Sequence, residues 1–249
     1  MTTYDTSQVK ESVRERYAAV ARRGTACCAP PTATEDACCS PAEVQFTSKS
    51  GADAVVDEAD LGLGCGSPTA FEDIEPGNTV LDLGSGAGVD VFRAAKLVGD
   101  DGHAIGVDMT VEMIDLARAN ATRGSFQNVE FRLGEIESLP VADGTVDVVL
   151  SNCVINLVPD KRRAFAEMHR VLATGGRFVI SDIVTVGELS EEVRSDLNQW
   201  VSCVSGAIDK SEYLALIEEV GFGDVEVLTR HSYGDGTPTE SITVRGFKR

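Results

Sequence analysis

Apolar and polar positions alternate in two registers along this chain. Residues 6–23 place Val9, Val13, Tyr17 and Val20 three or four apart with Arg and Glu between them, which predicts a helix that stops at Gly24. From about residue 79 the texture changes to short apolar runs separated by amphipathic stretches. The runs predict strands at 79–84, 103–108, 129–133, 146–151 and 176–182, and the stretches predict helices at 88–98, 111–122 and 160–172. Helical patterns at 190–206 and 210–220 come next, then strands near 224–229 and 240–247. Strands alternating with helices imply βαβ units around a parallel sheet. No internal repeat is visible.

Between these patterned regions, TACCAPPTATEDACCSPAE (25–43) is rich in Ala, Pro, Thr and Cys and has no period. We expect residues 1–50 to form an N-terminal helix with a mobile cysteine-rich arm, and 51–249 to form the main domain. A chain of 249 residues, 43% apolar, can bury one full-sized core.

Charge excludes one class of partner. With 22 basic against 40 acidic residues, the net charge of −18 disfavours nucleic acid, whose nonspecific binding rests on Lys and Arg neutralising phosphates. Only six basic residues are Lys, an acid-rich and Lys-poor balance that resembles proteins of salt-accumulating cells. The start MTTYDTSQVKESVRERYAAV has no apolar signal region, and no run reaches the ~18 apolar residues of a membrane span. A cytoplasmic protein without a membrane partner, acting as a monomer, is expected. Seven cysteines in a reducing compartment are then free thiols or ligands rather than a disulfide framework.

The first strand, TVLDLG, runs into GSGAG and then a helix, so Gly84, Gly86 and Gly88 occupy the turn where a ligand can approach the main chain. The second strand ends at Asp108, where a carboxylate can accept the two ribose hydroxyls of a nucleoside. These features fit a nicotinamide dinucleotide or an adenosyl cofactor. Two details favour the second. The spacing is G-x-G-x-G rather than G-x-G-x-x-G, and Asp82, two residues before the first glycine, suits a cationic sulfonium with an amino-acid tail better than a pyrophosphate.

VLDLGSGAG (80–88), IGVDMT (105–110), GEIESLP (134–140) and RVLATGGRFVISD (170–182) resemble the successive motifs of class I S-adenosylmethionine-dependent methyltransferases. The resemblance implies a Rossmann-like α/β fold: a seven-stranded, mostly parallel sheet, its last strand antiparallel, with helices on both faces. It also implies the methionine moiety near Asp82 and Gly84, the ribose on Asp108 and the adenine flanked by Met109, Glu135 and Ile136. Asn152, at the end of the fourth strand, is counted with these cofactor-binding residues.

Three cysteines lie close to this machinery in sequence: Cys65 in LGLGCGSP (61–68), Cys153 in SNCVINL (151–157) and Cys203 in WVSCVSGAI (200–208), the last on an expected helix. Three thiols suit a soft, thiophilic substrate better than an alcohol or amine. Each cysteine also has a plainer reading, as a small packed residue or, for Cys65, an exposed turn. The three segments, with TACC (25–28), resemble arsenite methyltransferases. That resemblance implies trivalent arsenic on Cys153 and Cys203 with Cys65 as third thiol, and an arm cysteine, Cys28, in a disulfide relay. It further implies arsenite and methylarsenite as substrates, S-adenosylmethionine as methyl donor, and an external thiol reductant such as thioredoxin or glutathione. The adjacent pairs Cys27–Cys28 and Cys38–Cys39 are disfavoured as internal bridges, because neighbouring Cα atoms are ~3.8 Å apart.

No general base is needed at arsenic, and His103 and His169 are expected to be structural or solvent-facing. The chain ends soon after its last strand, so the C-terminal domain of longer family members is expected to be lacking. The competing readings are a class I methyltransferase of a quinone precursor or other small molecule, a non-catalytic thiol-based metalloid-binding protein and, more distantly, a nicotinamide dehydrogenase.

Overall fold

The computed structural model describes residues 5–23, 56, 59–61, 74–194, 196, 200, 203–233 and 237–249. Helix α1 spans Thr6–Arg23. The alternating region then runs β1 (Thr79–Leu83), α2 (Val89–Val98), β2 (His103–Asp108), α3 (Val111–Gly124), β3 (Val129–Leu133), β4 (Val146–Asn152), α4 (Lys161–Val171) and β5 (Leu172–Thr185). It continues through a short α5 (Glu191–Arg194), α6 (Lys210–Glu219), β6 (Phe222–Tyr233) and β7 (Thr239–Lys248). A 3-10 turn at Ile155–Leu157 links β4 to α4.

The seven strands form one sheet in the order β3-β2-β1-β4-β5-β7-β6. Pairs from β3 through β5 are parallel, and β7 inserts antiparallel between β5 and β6, as expected for this fold class. Strand residues alternate between faces. Leu81 and Leu83 join Val149, Phe165 and Met168 of α4, and Tyr213 and Ile217 of α6, in one core layer. Val80 and Val148 face the other way, against Phe92 of α2 and Met113 of α3. Strand order reverses between β1 and β4. The crevice beyond their carboxyl ends is therefore where a ligand is expected in an open parallel sheet.

Two expected boundaries moved. β5 begins at Leu172 rather than near 176, because Gly175 at φ 82 lets the chain bulge while pairing passes from Val146–Leu172 to Val148–Arg177. The helix expected at 190–206 is described as helix only at Glu191–Arg194 and Trp200, and Cys203 lies in a turn with φ 65. The Ser205 hydroxyl donates to the carbonyls of Val193 and of Asp196, which ties the Cys203 turn back to this segment.

Candidate active site

A cavity of about 350 Å³ opens at the crevice between β1 and β4. That is large enough for a small nucleoside ligand. Its wall includes Asp82, Gly84 and Gly86 from the β1–α2 turn, Asp108 and Met109 from the end of β2, Glu135 and Ile136 after β3, and Asn152 and Cys153 after β4. Eight of the nine expected cofactor residues thus converge. The exception is Gly88, which stands behind the wall; a Cβ there would lie 2.8 Å from the Phe131 ring and 2.9 Å from that of Phe92.

Gly84, at φ 67, is held there by packing: a Cβ would sit 2.5 Å from Val154 Cγ2. The same turn points backbone donors at the end of β2. Asp108 accepts from Gly86 N at 3.0 Å through Oδ2 and from Thr110 N at 2.8 Å through Oδ1. These bonds, with further donors from Met109 N and the Thr110 side chain, fix the carboxylate at the end of β2.

Electrostatics select the ligand's sign. Asp82, Asp90 and Asp108 all line the cavity. Burial, and then Asp90 and Asp108 as like-charged neighbours, push the Asp82 carboxyl well above its ordinary range. Burial also raises Asp108, against the backbone donors that favour its charged form. A cation placed between these carboxyls would favour their ionised forms again, whereas a pyrophosphate would add like charge, so the residues present fit a sulfonium donor with a protonated amine.

Asp90 was not singled out from sequence, although it follows the glycine turn by two residues. It accepts from Arg93 Nη1 at 3.0 Å and from Asn152 Nδ2 at 3.4 Å, which ties the β1–α2 turn to the end of β4. Helix α1 was also missed as a site element. Lys10, Val13 and Tyr17 line the cavity, and Lys10 pairs with Glu135 at 2.8 Å and with Glu137. Arg22 pairs with Glu112 of α3 at 2.7 Å, so both ends of the helix are tied to the main domain.

The thiols lie next to this cavity. Cys153 and Cys203 are both buried and share an apolar cluster with Val9, Val13, Leu157, Ile183 and Ala207. The Cys203 thiol donates to the carbonyl oxygen of Cys153 at 3.2 Å. Both residues adopt left-handed backbone, φ 58 and 65, which costs a non-glycine residue about 1–3 kcal/mol and needs support from its surroundings. Support comes from Cys153 N donating to Ser181 O at 2.8 Å and Cys203 N donating to Trp200 O at 2.9 Å. Cys153 is disulfide-bonded in this structure. Cys65 and the arm cysteines, Cys28 among them, lie outside the described residues. Among the described residues no group of three His, Cys, Asp or Glu side chains is arranged to hold a metal ion.

Beneath the thiols lies a buried polar network. Lys161 donates to Asn156 O at 3.2 Å and Val158 O at 3.1 Å, with Nζ 5.9 Å from the centre of the Trp200 ring. Burial lowers this ammonium to about 8, with Asp182 as the largest opposing charge. Burial pushes Asp182 up to about 7, even though it accepts from Ile183 N, Tyr213 OH and Asn156 N.

The histidines are peripheral to the cavity. His103 is half-exposed beside Glu130, and His169 packs edge-on against Phe222. No described helix is long and apolar enough to cross a membrane.

A methyltransferase-domain family matches residues 74–221, more than half of the chain. The crystal structure of an arsenic(III) S-adenosylmethionine methyltransferase from Chlamydomonas reinhardtii is 36% identical, with a TM-score of 0.69 over 79% of this chain and 73% of that one. The chain belongs to the arsenite methyltransferase family. Within that family, the arsenite methyltransferase of Halobacterium salinarum is 49% identical over 232 residues, 90% of this chain. The human arsenite methyltransferase is 40% identical over 159 residues. The chain spans 59% of the length of the Halobacterium protein and 42% of the human one.

Proposed function

We propose that this chain methylates trivalent arsenic, arsenite and then methylarsenite, with S-adenosylmethionine as donor. One observation carries the reading. Two cysteines separated by fifty positions in sequence meet beside a cavity whose wall suits a cationic donor, one thiol 3.2 Å from the other residue's carbonyl. A quinone-type methyltransferase has no use for that pairing. The family relatives support the same substrate.

In this reading Cys153 and Cys203 hold arsenic as thiolates, with Cys65 as third ligand. Soft sulfur binds the pnictogen while leaving its lone pair available. S-adenosylmethionine supplies an electrophilic methyl on a sulfonium. Asp82 would face that ligand's positive end, Asp108 would hold the ribose, and Met109, Glu135 and Ile136 would flank the adenine. The arsenic lone pair would take the methyl, an As–C bond replacing the S–CH3 bond while the electron pair returns to sulfur. Orientation supplies much of the acceleration. Nothing must be deprotonated at arsenic, in keeping with the absence of His, among the described residues, from the cavity wall.

Methylation leaves arsenic formally pentavalent. Two protein thiols return it to the trivalent state by closing a disulfide, with Cys28 as the arm member of the relay, and an external dithiol such as thioredoxin, or glutathione, reopens it. A disulfide at Cys153 is in keeping with such a relay. The test is arsenic speciation for Cys153→Ser and Cys203→Ser. Either substitution is expected to abolish methylation of both arsenite and methylarsenite, because an alcohol is a poor ligand for a soft centre. Near-normal turnover by either variant would remove that residue from the ligand set.

A further inference from the structure

Asn156 is fully buried in the 3-10 turn just beyond Cys153 and takes no part in the chemistry described so far. Its side-chain amide donates to two carbonyls, Ile183 O at 2.7 Å and Cys203 O at 3.3 Å. Its backbone N donates to Asp182 Oδ2 at 3.0 Å, and its own carbonyl accepts from Lys161 at 3.2 Å. The Cys203 turn also comes unusually close to it: a Cβ on Gly206 would lie 2.1 Å from Asn156 O. With the Cys203 thiol on Cys153 O, these contacts close a circuit. It runs from Cys153 through Val154 and Ile155 to Asn156, across the amide to Cys203, and back through the thiol.

The orientation of the amide is set by its neighbours, since two carbonyl oxygens can be met only by the NH2 group. Its Oδ1 is left buried without a hydrogen-bond partner among the described residues. A buried acceptor left unmet is costly, so packing alone would favour an apolar residue of similar size. The pair of donors is what this position requires.

We infer that Asn156 is a positioning residue for the thiol pair, its amide fixing how far the Cys203 backbone stands from Cys153 and so the span across which the two sulfurs hold one soft atom. The inference rests on the arsenic reading for its purpose, but the span is measurable without arsenic. Tyr213 serves as the comparison. Its hydroxyl donates to the same Asp182 at 3.2 Å and, among the described residues, makes no hydrogen bond to the Cys203 turn, so Tyr213→Phe loosens the network without releasing the clamp.

The experiment uses the full chain with Cys27, Cys28, Cys38, Cys39 and Cys65 replaced by Ser, reduced with a phosphine. Dibromobimane becomes fluorescent when it has alkylated two thiols within bridging reach, and so reports the span of Cys153 and Cys203. Asn156→Ala is expected to slow bridging about fivefold, the fold-change carried by one net hydrogen bond. Single alkylation by monobromobimane and affinity for S-adenosylmethionine are expected to stay within about twofold, and Tyr213→Phe is expected to bridge like the parent while melting at a lower temperature.

In the enzyme with all seven cysteines, Asn156→Ala is expected to raise KM for methylarsenite and leave KM for S-adenosylmethionine unchanged. Bridging by Asn156→Ala at the parent rate would overturn the inference, as would equal slowing in Tyr213→Phe. If bridging slows as expected but the parent enzyme fails to methylate arsenic, the clamp stands and the proposed function falls.

Discussion

Replacing Asp82 by Asn separates what its carboxylate does for the ligand from what it does to the fold. The side chain is 4% exposed, and burial, Asp90 and Asp108 all act to keep it protonated. An isosteric neutral amide removes the buried charge and its repulsion, so the ligand-free chain is expected to become more stable at neutral pH. The sign follows from linkage. A carboxyl whose folded pKa is raised stabilises fully below its unfolded pKa and loses that contribution as pH climbs through the folded value.

A bound cation favours the ionised form, so wild-type binding of S-adenosylmethionine releases protons and strengthens with rising pH. Losing one charge-assisted hydrogen bond costs about 1.5–3 kcal/mol, which weakens binding by roughly 10- to 150-fold once the wild-type carboxyl is ionised. The loss is expected to shrink toward low pH, and the slope of affinity against pH is expected to flatten in the variant, with only the smaller contribution of Asp108 remaining. Calorimetry at several pH values, in two buffers of different ionisation enthalpy, reads both affinity and proton release. A variant that binds within about threefold of wild type at alkaline pH would refute the reasoning, because one lost charged contact predicts more. A ligand-free chain that melts lower than wild type would do the same.

Asp182, pushed up to about 7 by burial, gives a second test with the same sign: its stabilising contribution is complete below about pH 4 and is lost as pH rises toward 7. The Asp182→Asn variant is therefore expected to gain stability relative to wild type across that window, by at most on the order of 4 kcal/mol, in denaturant melts at stepped pH; a constant difference would refute it. For Cys65→Ser, product speciation is expected to show loss of the first methylation with part of the second retained, because methylarsenite needs fewer sulfur partners. Loss of both would make Cys65 an obligatory ligand.

The donor half of the site was legible because its chemistry is local in sequence. A strand, a glycine turn and an acid twenty positions later dictate where backbone donors and carboxylates must fall, and β1, β2 and the turn between them formed as the apolar runs predicted. Helix α1 was equally legible as a helix, with Thr6–Arg23 matching the 3.6-residue period. Its role as a wall of the cavity was not, since periodicity shows that Val9 and Val13 are buried but not against what. Lys10 reaching Glu135 and Glu137 is a contact between residues more than a hundred positions apart.

The thiol half was harder. Cys203 fell inside an apolar pattern that reads as helix, whereas it sits in a turn held by long-range contacts, Ser205 reaching back to Val193 and Gly206 pressing on Asn156. Left-handed backbone at Cys153 and Cys203 has no sequence signal, because neither is glycine or asparagine. Burial of Lys161 and Asp182 was likewise invisible: each looked like an ordinary helix start or strand residue until the fold brought them together.

The central claim is that arsenic receives the methyl group. Incubating the reduced chain with arsenite, methyl-labelled S-adenosylmethionine and a dithiol reductant, then separating the arsenic species, tests it most directly. The account predicts label in methylarsenicals, with sustained turnover only while reductant is present. No label on arsenic at any reductant concentration would contradict it.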